Sequence, residues 1–318
     1  MTEFRTPTDR LAYTGDLAPL VERVAEAYGV GTPTSHSVVE VGYEDCNVII
    51  DTEQDRFLAK MFAKTRKPEE ITRYTDIMQK VVEAGVDHPE LMTANGNIVY
   101  VDSGVSLVLM RFIEGKTFFE LDRAPDDSER RALLEQAAKI NAIDYEPPYL
   151  FDSWAIPNIS EMFEKVKQYI EPDDVALVEQ VIVKYRAIPV NELPHGFVHG
   201  DFTKTNILKS DHGEIYVLDF SVANRYPRLQ ELAVIAANLL HDNDTSLEER
   251  CRVVADEYSK FSELTEAERQ HLSAYALAGV AMEFMGAHQE KFINGNDTDE
   301  TDYWLNLGRA GLRQALIK

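Results

Sequence analysis

The sequence predicts an α+β protein of two lobes, a small lobe built on an antiparallel sheet followed by a larger, mainly helical lobe. Two observations carry this prediction. A chain of 318 residues is longer than the usual range for a single hydrophobic core, and its length suits two. Short runs rich in β-branched and aromatic residues are concentrated in the first third, whereas helical periodicity dominates the rest. We therefore predict lobes over residues 1–112 and 113–318.

The first lobe is predicted to contain an amphipathic helix, several short strands and a second helix. Apolar residues at helical spacing mark the first helix between residues 17 and 28. Strand-like runs cover residues 37–41, 47–51, 56–62, 97–101 and 106–112. The second helix has Pro68 in its first turn, where Glu69 and Glu70 complement the helix dipole, and it ends at Gly85.

The second lobe is predicted to be helical around one non-helical insert. Helical periodicity covers residues 127–143, 159–170, 173–187, 229–240, 247–261, 266–293 and 302–316. The insert spans residues 196–219 and consists of a loop followed by an apolar run that ends in Asp219. Residues that carry catalysis are therefore expected in this insert.

Composition excludes several classes of partner. The formal net charge is −23 and the sequence pI is near 4.7, so the field of the protein repels nucleic acid and anionic membrane surfaces. No apolar segment approaches the roughly 18 residues of a membrane span. The first residues are polar and resemble no signal peptide, and the two cysteines form no recognisable motif. We expect a cytoplasmic protein, monomeric or homodimeric, that binds neither nucleic acid nor membranes.

The strongest functional signal is the segment His-Gly-Asp-Phe-Thr-Lys-Thr-Asn-Ile-Leu at 199–208, which Leu-Asp-Phe follows at 218–220. Phosphoryl transfer needs a carboxylate beside the attacking hydroxyl and oxygen ligands for Mg²⁺. We predict Asp201 as the base or hydroxyl-orienting group. Asn206 and Asp219 are the predicted metal ligands. His199 is expected to orient this loop through a hydrogen bond to the backbone near Asp219.

These motifs resemble those of the aminoglycoside phosphotransferase/choline kinase-like family, relatives of the protein kinases. The family carries His-Gly-Asp, an Asn five residues after the Asp, and a later hydrophobic-Asp-aromatic motif, as this chain does. The resemblance implies a bilobal protein-kinase-like fold and a first lobe that binds ATP or GTP with Mg²⁺. It implies transfer of the γ-phosphate to a hydroxyl of a small molecule.

The resemblance extends to the first lobe. Gly42 and Asn47 match the turn that covers the phosphates, and Lys60 matches the lysine that contacts them. Backbone groups from Met110 to Phe112 would bind the adenine. One residue departs from the pattern. The glutamate that usually pairs with the lysine falls near Tyr74, so Glu70, one turn earlier, is the best substitute, and a true replacement of the ion pair stays open.

Downstream, Glu231 is expected to be structural, and the roles of Arg225 and Arg228 stay open. The acceptor is the least determined feature. An aminoglycoside, another amino alcohol, choline, homoserine and methylthioribose all fit the resemblance. A cationic acceptor is suggested by acidic and aromatic residues near the C-terminus, whereas an acidic solvated surface is the simpler explanation for most of them. They are Glu283, Glu290, Asp297, Asp299, Glu300, Asp302, Tyr303 and Trp304.

Two other classes remain as alternatives. A Ser/Thr protein kinase is disfavoured because no Gly-rich loop and no Ala-Pro-Glu segment are present. A nucleotide-binding regulator without transfer activity is suggested only by the missing helix glutamate.

Overall fold

The structure, a computed structural model, describes residues 6–40, 44–242 and 244–317. The chain divides into two compact units. The first unit comprises Met1–Gln79 and His88–Glu114, and the second comprises Lys80–Asp87 and Gly115–Lys318. The lobe boundary predicted between residues 112 and 113 stays a prediction.

The first unit is built on a five-stranded antiparallel sheet. Its strands are β1 (Pro33–Val38), β2 (Cys46–Thr52), β3 (Arg56–Met61), β4 (Val99–Asp102) and β5 (Val105–Arg111). They lie side by side in the order β1-β2-β3-β5-β4. Helix α1 (Ala18–Tyr28) precedes the sheet, and helix α2 (Pro68–Glu83) follows β3. The α2 helix begins at Pro68 as predicted, and Gly85 just beyond its end adopts a φ of +67°.

One face of this sheet forms the core of the first unit. Along β2, Cys46, Val48 and Ile50 are fully buried, whereas the residues between them are only partly buried. This alternation directs every second side chain towards the α1 helix, whose Leu20 and Val24 belong to the same core. The β1 strand begins four residues before its predicted start, because its polar, partly exposed sequence carries no hydrophobic signal.

The second unit is mainly helical. The predicted helices are present as α3 (Asp127–Asn141), α4 (Ile159–Val166), α5 (Pro172–Arg186), α6 (Leu229–Val234), α7 (Leu247–Tyr258), α8 (Glu266–Gln289) and α9 (Asp299–Leu316). The α6 and α8 helices each continue into a π-helical turn, at Ile235–Leu239 and Glu290–Asn294. Within residues 6–40, 44–242 and 244–317, no helix combines the length and apolarity needed to cross a membrane.

The described residues of the second unit contain five short strands, of which the sequence predicted only one, the apolar run that begins at Ile215. They are β6 (Gly115–Thr117), β7 (His195–Val198), β8 (Ile207–Ser210), β9 (Ile215–Val217) and β10 (Asn224–Pro227). The β6, β8 and β9 strands form one antiparallel sheet, and β7 pairs with β10. Strands of three or four residues are too short for an alternating pattern to reveal them. They frame the predicted catalytic loop, which runs from β7 to β8.

Candidate active site

The loop that carries Asp201 is anchored by the buried ring of His199. The Nδ1 atom of His199 accepts a hydrogen bond of 3.1 Å from the backbone N–H of Asp201. Its Nε2 atom donates one of 2.8 Å to the carbonyl oxygen of Leu218. Burial lowers the pKa of His199 to about 4, so the ring is neutral and can accept at one nitrogen while it donates at the other. The predicted loop-orienting role of His199 is confirmed.

A second buried group, Glu231 of α6, holds the start of the same loop. Its carboxylate accepts hydrogen bonds from the backbone N–H groups of His199 at 3.1 Å and Gly200 at 3.4 Å. Burial raises the pKa of Glu231 to about 8, an effect that the two backbone N–H groups partly offset. The expectation that Glu231 is structural is confirmed, because its carboxylate is fully enclosed and bonded to the backbone.

Within the loop, Asn206 and Asp201 contact each other directly. The side-chain amide nitrogen of Asn206 donates to the Asp201 carboxylate at 2.6 Å and to the Asp201 backbone carbonyl at 3.0 Å. The backbone N–H of Asn206 also closes a turn onto the carbonyl of Thr203. The five-residue spacing thus folds into a closed loop with both polar side chains on one side.

The β8–β9 hairpin brings Leu218, the residue before Asp219, next to Asn206. Ile207 pairs with Val217, so the residues just outside the hairpin meet at its open end, where the N–H of Leu218 donates to the carbonyl of Asn206 at 2.8 Å. Asp219 follows with a left-handed φ of +56°. Its carboxylate accepts hydrogen bonds from the backbone N–H and the hydroxyl of Ser221.

The donors at this point suit a divalent cation such as Mg²⁺. Because the amide nitrogen of Asn206 faces Asp201, its amide oxygen faces away from that carboxylate and could serve as a ligand. Asp219 adds a carboxylate, and both are the hard oxygen donors that Mg²⁺ prefers. In the described part of the chain, no cluster of three or more His, Cys, Asp and Glu side chains could hold a metal alone. Two protein ligands are sufficient where phosphates and water complete the coordination.

A carboxylate of α8, Glu283, is connected to the catalytic loop through Asn238. The Asn238 side chain accepts a hydrogen bond of 3.0 Å from the backbone N–H of Lys204 and donates one of 2.6 Å to Glu283. Burial raises the pKa of Glu283 to about 7, and the negative charge of Asp201 contributes to the rise. The hydrogen bond from Asn238 and the positive charges of Arg250 and Lys204 act on this pKa in the opposite direction. Glu283 therefore lies within the electrostatic reach of Asp201. Asn238 lies in the first π-helical turn, a feature that often marks functional sites.

Three aromatic rings cluster beside acidic groups in the same unit. The ring centroid of Phe119 lies 4.9 Å from that of Tyr303 and 5.8 Å from that of Trp304. Burial raises the pKa of Tyr303, and so do the nearby charges of Glu283 and Asp122. Sequence reasoning singled out Glu283, Tyr303 and Trp304 but missed Phe119 and Asp122. No local pattern marks those two, because only the tertiary fold brings residues 119 and 122 to α9.

Most of the remaining acidic residues near the C-terminus have local structural partners. Glu290 accepts hydrogen bonds from the side chains of Asn294 and Asn296. Lys291 forms ion pairs with Asp297 and Asp302. Asp297 and Asp302 are exposed, in agreement with the simpler explanation of this acidic stretch as a solvated surface, whereas Glu290 is buried.

In the first unit, Lys60 lies on β3 directly opposite Asn47 of β2 and Val108 of β5. Residues opposite each other in an antiparallel sheet share a face, so Lys60 and Asn47 project from the same side. The ammonium group of Lys60 lies 3.5 Å from the carboxylate of Asp45 and 5.5 Å from the centroid of the Tyr74 ring.

The remaining predicted nucleotide contacts stay predictions. The carboxylate of Glu70 accepts a hydrogen bond of 3.1 Å from the backbone N–H of Lys67, at the start of α2. Met110 pairs with Leu58 inside the sheet, and the N–H of Phe112 donates to the carbonyl of Arg56 at 3.0 Å. A backbone contact from Phe112 would therefore use its carbonyl. Gly42 lies outside the described residues.

The two arginines after Asp219 differ in their surroundings. Arg228 donates through two nitrogens to the fully buried carboxylate of Glu268, at 2.6 and 2.9 Å. Arg225 is exposed and lies 3.8 Å from the exposed Glu146. Arg228 therefore serves the packing of the second unit, whereas Arg225 is a surface residue.

Comparisons with known proteins place this geometry in context. The profile of the Phosphotransferase enzyme family (APH) matches residues 35–264. A homoserine kinase from Rhodopseudomonas palustris (strain BisB5) is 21% identical over 289 residues, which cover 89% of this chain and 87% of that protein.

Solved structures of low sequence identity share the fold. A spectinomycin phosphotransferase in complex with ADP and spectinomycin has a TM-score of 0.68 at 12% identity, covering 93% of this chain and 98% of the other. A choline/ethanolamine kinase family protein from Mesorhizobium loti has a TM-score of 0.68 at 15% identity, covering 94% of both chains. These similarities confirm the predicted protein-kinase-like α+β fold.

Proposed function

Because the chain belongs to the Phosphotransferase enzyme family (APH), it is a small-molecule kinase, and we propose that its acceptor is an amino alcohol whose cationic end binds beside Glu283. The phosphoryl donor in this proposal is ATP or GTP, used together with Mg²⁺. The observation that carries the choice of acceptor is the hydrogen-bonded connection from the catalytic loop through Asn238 to Glu283.

The proposed catalytic roles follow from the contacts of the loop. Asp201 orients the acceptor hydroxyl and accepts its proton, while Asn206 keeps the Asp201 carboxylate in place. Asn206 and Asp219 would hold the divalent cation, which neutralises phosphate charge when bound. Lys60 would contact the nucleotide phosphates, and Asn47 lies opposite it across the two strands. Catalysis in this scheme depends on positioning and charge neutralisation.

A cationic acceptor is supported by the side chains around Glu283. The carboxylate can pair with an ammonium group, and the ring of Tyr303, which is near Glu283, can attract a cation. Phe119 and Trp304 pack against that ring. Asp122 adds a second negative charge near Tyr303. Within electrostatic reach of Asp201, Glu283 can hold one end of a short molecule whose hydroxyl lies at the catalytic carboxylate.

The acceptor class can be tested with paired substrates. ADP release with Mg²⁺-ATP would be compared for choline and its neutral isostere, aminopropanol and propanol, homoserine and its deaminated analogue, and spectinomycin. We expect turnover only with amine-bearing alcohols. Equal turnover of charged and neutral partners would overturn the cationic specificity. Nucleotide binding without turnover across a broad panel would favour the regulator instead.

Two substitutions connect that specificity to residues. Glu283→Gln should raise the KM for the amine substrate about tenfold, since a charge-assisted contact of about 1.4 kcal/mol is lost. Glu290→Gln is the matched control, because Glu290 is bonded to Asn294 and Asn296, and it should leave the KM unchanged. Asp201→Ala should abolish turnover and leave nucleotide affinity intact. An Asp201→Ala enzyme with full activity would refute the mechanism.

A further inference from the structure

The lysine of the first unit has a carboxylate partner that the family pattern does not provide. Asp45, the residue immediately before β2, lies 3.5 Å from the ammonium group of Lys60. The two side chains are only 2% and 6% exposed, so this ion pair is almost completely enclosed. We propose that Asp45 positions Lys60 for the nucleotide phosphates, in the place of a glutamate from α2. This inference rests on the proposed role of Lys60 in nucleotide binding.

The carboxylate of Asp45 is held from several sides. It accepts hydrogen bonds from the backbone N–H of Ala63 at 3.1 Å and from two nitrogens of Arg66, at 3.2 and 3.0 Å. The guanidinium of Arg10 also donates to the backbone carbonyl of Asp45 at 2.9 Å. A group with its rotamer fixed in this way can in turn fix the long, flexible side chain of Lys60.

The strand register explains how a residue outside α2 can reach Lys60. Asn47 lies directly opposite Lys60, and Asp45 lies two residues before Asn47. Continued one residue beyond the start of β2, this register makes Asp45 the diagonal neighbour of Lys60 on the same face. Diagonal neighbours are close enough for a long side chain to bridge. The pairing follows from the β2–β3 hairpin and needs nothing from the helix.

On the α2 side, an aromatic ring lies where the family pattern has a carboxylate. Tyr74 is buried, its ring packs edge-on against Phe62, and the ammonium group of Lys60 lies 5.5 Å from its centroid. A cation at that distance is attracted to the ring. Glu70 instead accepts the N–H of Lys67 at the helix start. The substitution at residue 74 is thus compensated by Asp45, which removes the main reason to consider an inactive regulator.

The test measures Mg²⁺-ADP affinity directly and the KM for ATP in parallel. Asp45→Asn keeps a hydrogen-bond acceptor for Ala63 but removes the charge. It should lower the affinity for Mg²⁺-ADP and raise the KM for ATP, each about tenfold, which corresponds to the loss of a contact of about 1.4 kcal/mol. The matched control is Asp51→Asn, which removes a β2 carboxylate from a partly exposed ion pair with Arg56. This control should stay within about twofold of wild type. An Asp45→Asn protein with wild-type affinity overturns the inference.

A double-mutant cycle separates positioning of Lys60 from general stabilisation. If Asp45 acts through Lys60, Asp45→Asn should cause no further loss of affinity in a Lys60→Met background. An equal loss in both backgrounds would overturn the inference. If Asp45→Asn does not fold, the Asp45→Glu variant is measured instead. Weakened Mg²⁺-ADP binding by Asp45→Glu would support the inference, and unchanged binding would overturn it. A wild-type protein that binds no nucleotide would refute the proposed function itself, whereas the Asp45 result alone concerns only this inference.

Discussion

The side-chain amide of Asn206 donates a hydrogen bond of 2.6 Å to the carboxylate of Asp201. One side chain therefore has two tasks. Its nitrogen fixes the proposed base, and its oxygen is turned to the side where a cation would bind. The two ends of an amide cannot be exchanged without losing both functions, so Asn206 couples the position of the base to the metal site.

Asn206→Ala should lower kcat/KM at least about 100-fold, because both the cation ligand and the orientation of Asp201 are lost. The Mg²⁺ concentration needed for half-maximal activity should also rise. Asn158→Ala is the matched control, since that amide donates to the carbonyl of Asp152 at 2.7 Å in the same unit. The control should retain the wild-type Mg²⁺ dependence. Equal Mg²⁺ dependence in all three proteins would contradict the assignment of Asn206.

Gly200→Ala should destabilise the protein more than Gly213→Ala, although both glycines have a φ of +89°. At Gly213 an added methyl group meets nothing within 4 Å, whereas at Gly200 it would lie 3.2 Å from the carbonyl oxygen of Val222. Gly213→Ala should therefore cost only the backbone strain, about 1 to 2 kcal/mol. Gly200→Ala should add a steric cost and lose activity, because the loop around Asp201 must shift.

Urea unfolding measures the cost of each change, and steady-state kinetics measures activity. The comparison is informative because backbone conformation is matched. If Gly200→Ala and Gly213→Ala lost equal stability and kept equal activity, the close approach of Val222 to Gly200 would not matter for stability or activity.

His199→Gln should change how stability depends on pH. The pKa of His199 is lowered to about 4 in the folded protein, whereas the unfolded chain binds the proton near its ordinary value of 6.5. The stabilisation from neutral His199 is thus present above pH 6.5 and is lost as the pH falls towards 4. Between pH 7.5 and 5, the stability advantage of wild type over His199→Gln should shrink by about 2 kcal/mol.

The measurement is urea unfolding followed by tryptophan fluorescence at both pH values. Both tryptophans, Trp154 and Trp304, lie in the second unit, so their fluorescence reports on the unit that contains His199. A difference between the two proteins that stays constant with pH would show that His199 is not kept neutral by burial.

Arg228→Ala should lower the free energy of unfolding by about 3 kcal/mol, because it leaves the buried carboxylate of Glu268 without its partner. Arg225→Ala should change it by less than about 0.5 kcal/mol, as expected for an exposed pair at 3.8 Å. Both variants should keep wild-type KM values at a temperature where they are folded. An Arg228→Ala protein of normal stability but raised KM would instead place this arginine at a substrate.

The sequence was most informative where chemistry demands fixed spacing. Asp201, Asn206 and Asp219 could be assigned roles because a tight loop and a following hairpin have few ways to present them, and the structure places Asn206 in contact with Asp201 and beside Leu218. Helices such as α3 and α8 were predicted for a different reason, since their periodic apolar residues extend over four or more turns.

Sequence reasoning failed where function depends on pairings between distant elements. Asp45 is an ordinary turn residue until the register of β2 against β3 is known, and only then does it become a neighbour of Lys60. Phe119 and Asp122 come to α9 from more than 170 residues away. The strand β7 gave no signal because its four residues include Gly196 and begin with His195.

The left-handed backbone of Asp219 restricts what can replace it. At a φ of +56°, Asn and Asp are tolerated well, whereas β-branched and bulky residues are strained. Asn is thus the replacement that leaves the turn undisturbed, and it would remove the charge while keeping an oxygen. A descendant of this protein that lost catalysis without losing its fold would therefore be expected to carry Asn in place of Asp219. That one substitution in its sequence would mark the loss of activity.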